Sequence, residues 1–129
     1  MLLIFFVLPF FVVNAELDKM AKVAFKQSNR EYNSKIKWSN ELEKKALEYL
    51  NSGGNVEEDM MVIKEERTYR KNSSLNIGIK LLDAFYGLMW YETEKIRNLP
   101  KGSQYGCNIV YKEESDKDIL RYACLYRKN

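Results

Sequence analysis

The only two cysteines of the chain, Cys107 and Cys124, each lie inside a run of aromatic and β-branched residues. The runs are Gln104-Tyr-Gly-Cys-Asn-Ile-Val-Tyr111 and Asp118-Ile-Leu-Arg-Tyr-Ala-Cys-Leu-Tyr126, and the link from Lys112 to Lys117 is wholly polar. Two such runs joined by a short polar link predict a β-hairpin. The compartment decides what the thiols do there. A cytosolic pair stays reduced, whereas a chain that passes through an oxidising compartment forms and keeps the bond. Two separate buried thiols are the alternative.

The N-terminus speaks to the compartment. Leu2 to Val13 is apolar apart from Pro9, and Val13-Asn14-Ala15 has the small-residue pattern of a signal-peptidase site. A bilayer-spanning helix takes about 20 apolar residues, and Glu16, Asp18 and Lys19 end this run too early for a stable membrane anchor. The expectation is a signal peptide over 1–15 and one domain over 16–129, secreted to the extracellular space. Basic residues number 21 and acidic residues 18, a formal net charge of +3. In the linear sequence the two signs are interspersed, which argues against a nucleic-acid stripe or a polybasic membrane clamp.

Further along, Leu17, Met20, Ala21, Ala24, Phe25 and Ser28 predict an amphipathic helix over 16–29. Lys35-Ile-Lys-Trp38 reads as a brief extended piece. Ser39 and Asn40 are N-cap candidates, with Glu43 placed to complete a capping box from Asn40. The helix they open carries Leu42, Ala46, Tyr49 and Leu50 and stops at Asn51-Ser-Gly-Gly54. Val56, Met60, Ile63 and Arg67 suggest a weak helical stripe led by acidic residues. Asn72-Ser-Ser74 is an N-glycosylation acceptor triplet in a predicted loop. From Leu75 to Met89 the apolar spacing is helical, although its C-terminal part also reads as an extended core strand.

Several of these segments resemble, in order, motifs of the CAP superfamily, which groups cysteine-rich secretory proteins, venom allergens and plant pathogenesis-related proteins. Phe85-Tyr-Gly-Leu-Met-Trp90-Tyr-Glu-Thr93 is similar to its His-Phe-Thr-Gln-Met-Val-Trp motif, with Phe85, Trp90 and Thr93 matching. Tyr105-Gly106-Cys107 and Tyr122-Ala-Cys-Leu-Tyr126 resemble its two cysteine strands, and Ile36-Lys-Trp38-Ser-Asn-Glu-Leu42 resembles the start of its second helix. The resemblance is closest to short, divergent members secreted by nematodes. It implies an α+β fold, a three-layer α/β/α sandwich with a small antiparallel sheet between helices. Residues 104–111 and 118–126 would pair in that sheet, and the helix over 40–50 would pack on it through Leu42, Ala46 and Leu50. It also implies a Cys107–Cys124 bond. Ala24 and Ala84 stand where the resemblance would place metal-binding histidines, so no metal and no cofactor are expected.

The residues themselves lead the same way on chemistry. The chain has no histidine, which removes Ser-His and Cys-His nucleophile pairs and the commonest metal ligand. Zinc held by carboxylates alone is a poor match to its preferred nitrogen and sulfur donors. Carboxylate pairs such as Glu65, Glu66 and Glu92 could in principle hydrolyse glycosides, yet nothing in the sequence fixes two of them at a defined separation. The expected function is a secreted, non-enzymatic, monomeric binding module for an extracellular protein or a small apolar ligand of lipid or sterol type. A small secreted hydrolase using acidic residues is the alternative, and a degenerate domain with little activity is a third. Tyr91, Tyr105, Tyr111, Tyr122 and Tyr126 are candidates for surface recognition or for the sheet core, and Trp38 and Trp90 for the core.

Overall fold

Strand β4 (Lys117–Arg127) is the spine of the molecule, with β3 (Gln104–Glu113) on one side and β2 (Met60–Arg70) on the other, both antiparallel to it. A two-residue strand, β1 (Lys37–Trp38), adds to the far side of β3 in parallel, giving the order β1-β3-β4-β2. The computed structural model describes residues 19–53, 56–71, 80 and 92–129. Helices cover 19–32 (α1), Asn40–Ser52 (α2) and 92–97 (α3). The protein is therefore an α+β protein built on a four-stranded mixed sheet.

The hairpin forms where the two cysteine runs predict it and extends further into the polar link, with Glu113 paired to Asp118. The two cysteines face each other across the ladder and are bonded, with an S–S distance of 2.04 Å. Alternation along β4 then divides the core in two. Leu120, Tyr122, Cys124 and Tyr126 join Phe25 and Ala21 of α1 and Ile96 of α3. Leu125 joins Leu42 and Ala46 of α2 with Val56, Met60 and Val62 packed around them. Apolar residues on both faces explain why β4 reads as a nearly continuous apolar run.

Helix α2 starts where the side chain of Ser39 accepts a hydrogen bond from the Leu42 amide at 3.2 Å. Ser39, and not Asn40, is the N-cap, so the expected Asn40–Glu43 capping box does not form. The helix ends at Gly53, whose φ of 63° is the left-handed cap that glycine adopts freely. Its seating on the sheet depends on Gly106. A β-carbon there would lie on the Glu43 amide nitrogen and 2.5 Å from the carbonyl carbon of Leu42, so only glycine lets the helix come this close.

Two expectations about elements are corrected. The stripe Val56, Met60, Ile63, Arg67 is not helical: residues 60–70 are β2, paired with β4 along the whole strand. Met60 and Val62 turn to one face and Met61 and Ile63 to the other, and their combined apolar run imitates a helical period. The first helix continues past Asn29 to residue 32. Asn29 is fully buried: its Nδ2 donates to the Phe25 carbonyl at 2.8 Å and its Oδ1 accepts from the Tyr126 hydroxyl. A polar residue that looked like a helix end is instead a buried tie between α1 and β4.

Candidate functional site

Beyond the two residues of β1, the outer edge of β3 has no strand partner among the described residues. Near this edge α1 and α2 are joined by Lys22 and Glu43, 3.0 Å apart. Asn108 seals the edge from below. Its Nδ2 donates to the Glu43 carbonyl at 3.2 Å, and its Oδ1 accepts from the Ile109 amide at 2.9 Å. Here, at Asn108 and Ile109, a side chain satisfies an edge amide and ties the strand to α2.

Between the helices lies a cleft of about 200 Å³. Its walls include Ala21, Phe25 and Leu47, its floor Cys107 and Asn108, and its mouth Lys19 and Lys22. Helical spacing explains the wall: Ala21 and Phe25 are one turn apart, and both are buried. Among the described residues the exposed large hydrophobic side chains are Met20, Val23 and Leu47, at 46%, 64% and 38%. All three belong to the two helices that form the cleft. Beside it, Trp38 packs edge-on to Tyr105 with ring centroids 5.2 Å apart. The ammonium groups of Lys22 and Lys26 lie 5.5 and 5.3 Å from the indole, within cation–π range.

A broader, shallower recess of about 410 Å³ lies at the other end of the sheet, beside Met60, Met61, Leu99 and Tyr126. None of the exposed hydrophobics lines it. A third cluster sits near the hairpin tip. Lys80 is buried, with its Nζ 3.2 Å from the Tyr111 hydroxyl and 3.4 Å from Asp118 Oδ2, while Lys71 reaches Asp118 Oδ1 at 2.9 Å. The rings of Tyr69 and Tyr111 flank the same ammonium at 5.4 and 5.7 Å. Every charge in this cluster has a partner, and it clamps Lys80 to the tip of the sheet.

Two of the three carboxylates singled out in the sequence, Glu65 and Glu92, are ion-paired. Glu65 meets Arg67 at 3.2 Å and Glu92 meets Lys95 at 2.9 Å. Hydrogen bonds from Lys45 hold Glu41 and Glu57 below the usual carboxylate range, and one from Lys71 does the same for Asp118. The strongly raised groups are tyrosines, Tyr122 and Tyr126, both chiefly by burial. Among the described residues no group of three or more His, Cys, Asp or Glu could hold a metal ion.

The sequence-derived candidates are scattered. Cys107 reaches the cleft floor, whereas Cys124, Tyr122 and Tyr126 are buried and Gly106 underlies α2. Tyr105 is also buried, while Tyr111 is half-buried at the Lys80 clamp. Ala24 packs against the core from α1, and Thr93 is in α3. Asn72, Ala84, Phe85, Trp90 and Tyr91 lie outside the described residues. Lys19, Lys22, Leu47 and Asn108 were not singled out in the sequence. Helical spacing in α1 was a signal available for the two lysines, and the sequence held none for Leu47 and Asn108.

No helix among the described residues is long and apolar enough to cross a membrane. No solved structure matches the chain. Residues 24–128 match the sequence pattern of the 15 kDa excretory/secretory proteins. A protein of that name from Haemonchus contortus is 26% identical over 116 residues, covering 81% of this chain and 75% of the relative. These findings overturn the resemblance to the CAP superfamily and to venom allergens. Its motifs were short and degenerate, and the two around Cys107 and Cys124 are aromatic and β-branched runs of the kind that strands favour in general. The reading of Ala24 and Ala84 as lost metal-ligand positions rested on that resemblance and goes with it. The expected secretion stands, because the chain belongs to the family of 15 kDa excretory/secretory proteins.

Proposed function

We propose that this secreted protein is a non-enzymatic binding module that engages another protein through the cleft between α1 and α2. One observation carries the reading: the exposed large hydrophobics of the described residues, Met20, Val23 and Leu47, all belong to the helices bordering that cleft. Of the three, Leu47 lines the cleft, while Met20 and Val23 stand on α1 outside it; bare apolar side chains close to a concavity are a usual signature of an interaction site.

Size favours a protein partner over a sterol. Pockets that enclose small ligands run to roughly 300–1,000 Å³, and a cleft of about 200 Å³ suits one large side chain. The hydrolase alternative is weakened by carboxylates that are held low by basic partners, since a general acid needs its pKa raised. The fold that supports the site is inferred to be a three-layer arrangement, with α1 and α3 over one sheet face and α2 over the other. The two separate core clusters support it.

A photo-crosslinking residue at Leu47 tests the reading. It should give covalent adducts with an extracellular protein that the same probe at exposed Lys112 does not give. Identical adducts from both positions, or none from either, would refute it.

A further inference from the structure

Resting on the reading of the cleft as a protein-binding site, we propose that the partner presents an acidic segment. One large apolar side chain of that segment enters between Ala21, Phe25 and Leu47, and its flanking carboxylates meet a row of cations along α1. Lys19, Lys22, Lys26 and Arg30 are spaced by three, four and four residues, so they fall on one side of the helix over about 16 Å. The linear sequence hides this row, because acidic residues separate other lysines and the total charge is only +3.

Glu43 engages Lys22. Lys19, Lys26 and Arg30 have no ion-pair partner among the described residues. Val23 lies beside the row and is the most exposed of the large hydrophobics, at 64%. The buried indole N–H of Trp38, under Lys22 and Lys26, also lacks an acceptor among the described residues. The site therefore has donors and positive charge in excess, set around an apolar hole.

Shape selects the occupant. A flat anionic bilayer would leave the concavity unfilled, and a plain polyanion would leave Val23 and Leu47 facing water. An acidic segment with an apolar anchor satisfies both the charge and the hole.

The test is random-peptide display on the full secreted chain, followed by binding of each winner to wild type, to Leu47→Arg and to the double variant Lys19→Glu/Lys26→Glu. Thermal melts confirm that each variant is folded, and Lys26→Gln replaces the double variant if that one is not. Winners should carry one large apolar residue flanked by Asp or Glu, weaken by about tenfold on either variant, and weaken as salt rises. Winners without acidic residues that are lost on Leu47→Arg alone would overturn the acidic partner and leave the cleft reading intact. Winners indifferent to Leu47→Arg, or no winners at all, would overturn both. Sedimentation with phosphatidylserine vesicles that depends on Lys19 and Lys26, without peptide binding, would replace the proposal with a membrane surface.

Discussion

Helix α2 meets its neighbours in two opposite ways. Against β3 it comes so close at Gly106 that a single methyl group has no room, and Leu42 and Ala46 are completely buried there. Against α1, one turn further along, Leu47 stands 38% exposed beside an open cleft. The first contact is packed like the rest of a protein interior; the second leaves apolar surface bare on both helices. If the cleft is the binding site proposed above, stability belongs to the seam and recognition to the mouth, and substitutions in the two places should have separable effects.

The largest effect is expected at the seam. Leu42→Ala removes a side chain with no exposed surface and leaves a cavity under α2, so it should cost about 4 kcal/mol in denaturant unfolding. A loss below about 1 kcal/mol would mean that the seam is not close-packed and would break the comparison.

Removal of the cystine by Cys107→Ala/Cys124→Ala comes next. The bond closes a sequence separation of 17, for which chain entropy gives about 3 kcal/mol. Cys124 is fully buried and Cys107 only 2% exposed, so reducing agent should reach the bond slowly in the native protein and fast in urea. Equal rates of reduction in both conditions, read by trapping the released thiols, would show that the cleft floor opens.

High pH probes the buried tyrosines of the α1-facing core. Burial, with Asp118 second, lifts Tyr111 from 10.0 to about 12, and burial lifts Tyr122 and Tyr126 further. An unfolded tyrosine loses its proton near 10, whereas the folded chain keeps it. The stabilisation is therefore complete below pH 10 and falls as pH rises through 10 towards 12. Melting temperature should hold to about pH 10 and then drop, together with the absorbance change of phenolate formation. Phenolate appearing near pH 10 with the fold intact would contradict the burial of these rings.

How far the sequence discloses this molecule depends on which periodicity is unambiguous. The hairpin was legible because Cys107 and Cys124 sit in strand-like runs with a polar link, and α2 because a serine cap and a glycine stop bracket its apolar spacing. Strand β2 was not, because a strand apolar on both faces at Met60 to Ile63 loses its alternation and takes on a helical look. Asn29 misled for a similar reason. A polar residue at the end of an apolar stripe reads as a terminus until its partner Tyr126 is seen across the core. The cleft depends on the meeting of α1, α2 and β3, residues far apart in the chain, and the interspersed charges hid the lysine row beside it. The family-like motifs were the least reliable signal, since each is short and the two in the hairpin have the composition of strands in general.

The smallest expected effect on stability is at Val23, and it separates mouth from seam most sharply. At 64% exposure little of its side chain leaves water on folding, so replacing it should change stability by no more than about 0.5 kcal/mol. Val23→Gln also exchanges a β-branched residue for a better helix former in α1, which offsets part of any loss. Thermal melting of Val23→Gln should therefore match wild type, while crosslinking from the probe at Leu47 should fall if the proposed partner also covers the exposed Val23 beside the lysine row of α1. A melt several degrees lower would assign Val23 to the folding core. Unchanged melting with unchanged crosslinking would confine the binding surface to the cleft itself, with Leu47 and the lysines of α1 as its determinants.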